Sequence, residues 1–317
     1  MGEHQLVCFH CHAENPPELL YCKECSRMLE APTDLWLRIE EFQTSSDRSA
    51  LELVKATGIL PYVVNQLLVK PRDRKLRALI SSQGIPLNHF RDLEGVIQEV
   101  AYAVCLERLP AIYVITMTSA PNAFTFGTDD APVIVLDRRL VESMGVNELR
   151  ALLGHEMGHI RSGHMLYHSL AQTLAGGIEM SASLMGFNMI SMPMRLALLA
   201  WQRESEFSAD RTSLVASGAS SHVVDMFGTL VGISGVSTEK NSSLLDNVTE
   251  LFQTHPNLSL RANAVLKFSK SEEYDRIVKK TAHRRLLRLA LSPTCRFWGS
   301  AKEVKATFCP MCEKSQI

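Results

Sequence analysis

With 317 residues, 46% of them apolar, the chain can bury a full core and has length for about two domains. A formal net charge of −1 excludes any global attraction to nucleic acid or to an anionic lipid surface. Six of the eight cysteines stand in C-x-x-C pairs, the usage of a metal-binding chain in a reducing compartment. The start, MGEHQLVCFHCH, has neither the basic region nor the apolar stretch of a secretion signal, so a cytoplasmic location is expected.

The first element is a cysteine module over residues 1–30. Cys8-Phe-His-Cys11 and Cys22-Lys-Glu-Cys25 form two knuckles ten residues apart, with Asn15-Pro16-Pro17 supplying a turn and little apolar material for a core. Four thiolates around one Zn²⁺ would offset that deficit, because binding the metal orders the loop. His10 and His12 are read as exposed, and a redox role for the pairs is the weaker alternative. Such a ribbon is an expected docking point for a protein partner.

Residues 31–50 turn polar, with Thr44-Ser-Ser-Asp-Arg-Ser49 the clearest linker. From Leu51 to Val104 the pattern is several helices interrupted at Gly58, Pro71 and Pro86. Periodicity then changes. Ile112 to Met117 and Val133 to Leu136 are β-branched runs around a Pro-Asn-Ala segment, which predicts a small sheet of about three strands. A free edge of that sheet could take an extended peptide as a further strand, with an ordinary edge strand as the alternative.

Asn147 to Leu170 predicts a helix opened by a capping Asn, and inside it residues 155–159 read His-Glu-Met-Gly-His. Residues four apart on a helix point the same way, so His155 and His159 can offer two imidazole nitrogens to one Zn²⁺. Glu156 is then placed to take a proton from metal-bound water and pass it to a leaving amine.

Two sources of a third ligand stand in the sequence. The run HEMGHIRSGHM offers His164, which in a continued helix would lie about 140° round the axis from His159, at about 100° per residue, and off the metal face. Glu204-Ser-Glu-Phe-Ser-Ala-Asp210 offers Glu206 as ligand, with Asp210 four residues on to accept a hydrogen bond from a ligating imidazole. A solvated acidic helix face is the alternative reading of that run.

Leu166 to Trp201 carries only Glu179 and Arg195 as fixed charges, and its longest uncharged part, Met180 to Met194, is fifteen residues with five Met. That is short of the roughly 20 residues needed to span a bilayer. Buried core helices, a substrate or oligomer contact, and membrane association all stay open for it. The tail, residues 269–317, holds eleven Lys or Arg against five Asp or Glu from Lys270 onward. Its segment 279–288 has apolar helical spacing beneath a basic face, and a solvated helix packed on the protein is favoured over binding to an anionic membrane or nucleic acid. Cys309-Pro-Met-Cys312 is half a metal site that Cys295, His283 or a partner chain could complete.

With these motifs in view, the chain resembles the HtpX-like and CAAX-prenyl-protease-type zinc metallopeptidases from about Pro110 to about Leu266. LLGHEMGHI matches the active-site helix of that family, EFSAD its E-F-x-A-D segment, THPNLSLR (254–261) its late His-Pro…Arg segment, and APNAFTFG (120–127) its Pro-Asn-Ala strand. The resemblance implies Glu206 rather than Glu204 as third ligand. It implies His255 at the active site, where an imidazole could steady the oxyanion formed at the peptide carbonyl. It implies Arg261 as an orienting partner of carboxylates, and Asn122, Ala123 and Phe124 along the substrate. The chain departs from the family in its weak hydrophobic spans and in its terminal cysteine pairs.

The expectation is therefore a predominantly helical α+β zincin of the gluzincin type over residues 51–268. One catalytic Zn²⁺ sits on His155, His159 and Glu206, and one structural Zn²⁺ on Cys8, Cys11, Cys22 and Cys25. The chain would act on polypeptides as an endopeptidase in protein quality control or processing, with a peripheral membrane contact open and nucleic acid disfavoured. A reading from another class is a zinc-ribbon adaptor whose protease-like core is a scaffold. An intact ligand set with its Glu base argues against it.

Overall fold

The computed structural model describes residues 6–55, 70–90, 93–117, 121–128, 131–165, 167–168, 192–236 and 258–291. The chain is mostly helical with two small sheets, in keeping with the α+β expectation. Two two-residue strands, β1 (Leu6–Val7) and β2 (Glu14–Asn15), pair antiparallel beside the first knuckle. Knuckle turns close by Cys8 O accepting from His12 N and Cys22 O accepting from Ser26 N. His12 and Ser26 take left-handed φ of 60° and 58° there.

Residues 1–30 were expected as a separate module, but the second half of the ribbon is tied to the body. Tyr21 Oη donates to Leu106 O at 2.7 Å, Met28 N to Glu107 O, Leu109 N to Ser26 O and Leu20 N to Gln98 Oε1. Tyr21, Met28 and Leu37 belong to the main hydrophobic core. The run expected as the clearest linker is helical: α1 spans Ser45–Lys55, and Thr44 Oγ1 accepts from the Asp47 N–H in its first turn.

After α2 (Lys70–Gln83) come β3 (Ile85–Pro86), α3 (Leu87–Phe90) and α4 (Glu94–Ala103). Pro71 does not interrupt α2. It stands in the first turn, where its missing N–H costs nothing. Strands β4 (Ala111–Ile115), β5 (Ala123–Thr128) and β6 (Ala131–Asp137) complete a four-stranded sheet of order β3-β4-β6-β5. β4 runs parallel to β6, and β5 pairs antiparallel with β6 from Ala123↔Leu136 to Thr128↔Ala131. The fourth strand, unanticipated in the sequence, is two residues long and one of them is proline. β5 is an edge.

A short helix α5 (Arg138–Ser143) leads into α6 (Val146–Arg161), whose apolar face of Leu149, Leu152, Leu153, Met157 and Ile160 is buried. Its cap differs from the expected Asn147. Gly145 is the N-cap, and the Glu148 carboxylate accepts from its N–H at 2.7 Å. α6 also ends nine residues early, because Gly163 takes φ +68°, the left-handed turn that closes many helices.

α7 (Met192–Ser217) packs on α6 through a stripe of small residues. A Cβ on Gly154 would stand 2.5 Å from Ala216 Cβ, and one on Gly158 would stand 2.8 Å from Thr212 Cβ, so both glycines permit a backbone approach that any side chain would block. Ser213 Oγ donates to Ala151 O across the contact at 2.7 Å. α8 (Ser220–Val236), α9 (Leu258–Phe268) and α10 (Glu272–Leu291) close the body. Three basic residues of α10 are used internally, while Arg276, Lys279 and Arg285 are exposed. Lys280 pairs with Glu41, Arg284 with Glu30, and Arg288 donates to Leu19 O.

Among the described residues no single helix is long and apolar enough to cross a membrane, although the bent pair Ala200–Ser217 and Ser220–Ile233 passes by length and composition. Most of the Met-rich stretch, residues 169–191, lies outside the described residues.

Candidate active site

Two helices build the site. On α6 the four-residue spacing aims His155 and His159 the same way, their Nε2 atoms 3.2 Å apart. On α7 the near approach at Gly154 and Gly158 brings Glu206 in, with one carboxylate oxygen 3.5 Å from His155 Nε2 and the other 3.5 Å from His159 Nε2. All three side chains are buried. Tetrahedral N and O ligands at about 2.0–2.2 Å from a zinc lie about 3.3–3.6 Å from one another, so the donor set fits that ion in both chemistry and spacing. Glu204, the alternative in the same run, points elsewhere and accepts from Ser46 Oγ at 2.6 Å.

The ligands are held from behind. His155 Nδ1 lies 3.0 Å from Asp210 Oδ1, which fixes the ring as Nδ1–H donor and leaves Nε2 free for a metal. Arg261, on α9, donates from Nε to Asp210 Oδ2 at 2.7 Å and from Nη2 to Asp210 Oδ1 at 2.6 Å, while Nη1 lies 2.9 Å from Glu206 Oε2. One buried guanidinium thus pairs with two buried carboxylates, which alone would be costly to hold ionised. Burial would raise the Asp210 carboxyl, but Arg261 outweighs it and holds the group below the usual range. Burial would depress the His155 imidazolium, yet Asp210 and Glu206 outweigh it and push it up to about 9 in the metal-free chain.

His159 has a different backing. Its Nδ1 lies 3.1 Å from His164 Nδ1, and His164 Nε2 lies 3.0 Å from Asp47 Oδ2. A continuing helix would turn His164 away from the metal face. The helix stops at Gly163 instead, and the reversal lays the ring behind His159. Burial holds the His164 imidazole to the neutral side of its ordinary value. His168 stacks nearby and its Nε2 meets Ser205 Oγ at 2.8 Å.

Glu156, beside the first histidine, accepts from Thr125 Oγ1 at 2.5 Å. Alternation along β5 therefore turns Thr125 toward the site and Phe124 to the opposite face, where Phe124 packs with Phe126 and Ile80. Ala123 and Asn122 stand at the start of the strand, and the Asn122 carbonyl accepts from Asp137 N. The structure thus gathers His155, Glu156, His159, Glu206, Asp210 and Arg261 in one cluster. His255, Cys295, Cys309 and Cys312 lie outside the described residues. Asp47, Thr125 and Trp201 carry no signal of their own in the sequence, and His164 stands there only as the disfavoured third ligand. Only the glycine one residue before His164 carried a local signal.

In the ribbon, Cys8 Sγ lies 3.7 Å from Cys25 Sγ and Cys11 Sγ 3.5 Å from Cys22 Sγ, and all four sulfurs fall within 4.8 Å of one another. Thiolates at about 2.3 Å from a tetrahedral zinc stand about 3.8 Å apart, so this set also fits. Burial would raise the Cys22 thiol, but the backbone N–H groups of Cys25 and Glu24 bring it down to about 6. Both His10 and His12 are exposed, as expected.

The model of the family described as Peptidase family M48 matches residues 87–269, more than half of the chain. The chain belongs to peptidase family M48. The relatives it resembles are named as a metallopeptidase and as HtpX proteases. It is 28% identical over 215 residues to the plastoglobule-localized metallopeptidase 48, chloroplastic, of Arabidopsis thaliana, covering 61% of each chain. To the protease HtpX homolog of Campylobacter curvus it is 25% identical over 190 residues, 48% of this chain and 66% of that one. To that of Moorella thermoacetica it is 25% identical over 249 residues, 66% of this chain and 83% of that one. The chain thus spans less than two thirds of the length of the first two relatives. No solved structure matches it. Asp47 and the ribbon cysteines lie outside the segment matched by this M48 peptidase's family model.

Proposed function

We propose that the chain is a zinc-dependent endopeptidase of zincin architecture in which His155, His159 and Glu206 hold the catalytic metal and Glu156 is the general base. The observation that carries this is the approach of the Glu206 carboxylate to 3.5 Å from both imidazole Nε2 atoms, with Asp210 and Arg261 fixed behind them. A zinc there supplies an acidified water and a polarised carbonyl.

The remaining work falls to the chain itself. Glu156 accepts the proton of the attacking water and delivers it to the departing amine, and Thr125 keeps its carboxylate turned to the reacting side. The outer edge of β5 offers the Ala123 backbone groups to an extended segment, with Asn122 and Phe124, which face β6, flanking it along the strand, and such pairing recognises peptide while tolerating varied side chains. Arg261 holds Asp210 and Glu206 in register. His255 is the donor proposed for the oxyanion on sequence grounds. A role in protein quality control or processing fits such backbone-based selection of extended segments. Residues 51–268 form the peptidase domain in this reading, and residues 1–30 a ribbon built on a second zinc and open to a protein partner.

Metal analysis of two variants tests the ligand set. Glu206→Ala is expected to lose the catalytic zinc, whereas Glu204→Ala, whose carboxylate serves Ser46, keeps it. Depletion of Glu204→Ala alone would put the register of α7 two residues out.

A further inference from the structure

We propose that Asp47 and His164 are positioning residues for the catalytic metal, forming a buried carboxylate–imidazole relay that fixes the ring and tautomer of His159. The inference rests on the reading of His159 as a ligand. It extends the metal site to an N-terminal segment that the family match does not include.

The hydrogen-bond polarity closes in one way only. A ligating His159 gives its Nε2 lone pair to the metal and must carry its proton on Nδ1. Among the described residues that proton has one acceptor in reach, His164 Nδ1 at 3.1 Å, so His164 carries its own proton on Nε2 and donates it to Asp47 Oδ2 at 3.0 Å. Asp47 accepts throughout: Gln43 Nε2 donates to Oδ2 at 3.1 Å and Trp201 Nε1 to Oδ1 at 2.9 Å. Asp47 and His164 are both 0% exposed, so water does not substitute for any of these partners. His155 reaches its carboxylate directly, and His159 reaches one only through this second imidazole.

The same segment is tied to the helix that carries Glu206. Thr44 N donates to Ser208 Oγ at 3.0 Å, and Ser46 Oγ donates to Glu204 Oε2. The first turn of α1 therefore touches α7 and, through His164, the turn that closes α6, and by reciprocity metal on His159 stabilises that turn as much as the turn stabilises metal. A second metal among His159, His164 and His168, whose nitrogens also lie close together, would need the His159 and His164 nitrogens that the relay already uses.

The test is metal affinity of the full-length chain, with cobalt(II) as probe because thiolate charge-transfer bands mark the ribbon site and leave the imidazole–carboxylate site distinct. Asp47→Asn and His164→Phe are each expected to weaken the imidazole site about 10–100-fold in chelator competition. Acting in series, the double variant should be no weaker than the worse single one. His164→Asn, whose amide oxygen can stand where Nδ1 stood, should recover most of the loss, and metal should raise amide protection over residues 44–48. Should His164→Phe not fold, Asp47→Asn and His164→Asn carry the comparison. His159→Ala separates the two levels: if it keeps the metal, the ligand reading fails and the relay with it. If it loses the metal while Asp47→Asn and His164→Phe bind within about twofold of wild type, the relay alone fails. Fully additive losses, or a second imidazole-bound equivalent removed by His168→Ala, would also overturn it.

Discussion

The two candidate metal sites hold their ligands by opposite means. In the ribbon, four cysteines stand on turns around two two-residue strands, and the half carrying Cys8 and Cys11 exposes Leu6, Val7 and Phe9 instead of burying a core. At the catalytic cluster the ligands ride on long helices locked by Gly154, Gly158 and a buried guanidinium, so their positions are fixed by packing. In the proposed reading a metal makes structure in the first place, and structure makes a metal site in the second.

The largest expected effect is on the ribbon. Cys22→Ser with Cys25→Ser should remove one zinc equivalent and abolish amide protection over residues 6–15, with the second equivalent retained on the helices. Hydrogen exchange and metal analysis of the same sample read this. Persistent protection there would show that the docking of Tyr21 and Met28 suffices to order the whole ribbon.

At the other site, removing what holds the ligands should cost stability even without metal. Arg261→Met leaves Asp210 and Glu206 buried with only the His155 imidazolium beside them, and removing one partner of a buried charge cluster costs about 3–5 kcal/mol. Denaturant unfolding in chelator measures it, and zinc should restore part of the loss because it neutralises Glu206. An unchanged midpoint would mean that the carboxylates protonate or rehydrate at no cost.

A smaller effect is expected from Gly158→Val. Its side chain would meet Thr212 and Ala209, and overpacking of this kind costs about 1–3 kcal/mol. Displacing α7 should weaken zinc binding well beyond what the stability change suggests. Proportional losses would show that the approach of the helices serves stability alone.

The catalytic cluster was legible in the sequence because its chemistry is local. Two histidines four apart, and Glu206 with Asp210 four apart, are set by the helical period before any packing is known. Alternating β-branched runs gave β4 and β6 in the same way. The relay was not legible. His164 was judged on a helix that continues, and one residue in the left-handed region overturned that geometry. Asp47 sits in a polar run that reads as a linker, and its burial comes from contacts with Trp201 and His164, 154 and 117 residues away in sequence. The docking of Tyr21, Met28 and Leu37 into the main core is likewise tertiary, since each stands in an apolar group of two or three residues, too short to show a helical or strand period.

The account rests most heavily on Glu156 as base on a metal that three other residues hold. Peptide hydrolysis and zinc content measured together on Glu156→Gln test it directly, because the amide keeps the shape and the contact with Thr125 but cannot take the proton. The account expects zinc content equal to wild type and hydrolysis lower by about 10²–10⁴-fold, the range for loss of a general base. Full activity in the zinc-loaded variant would contradict it.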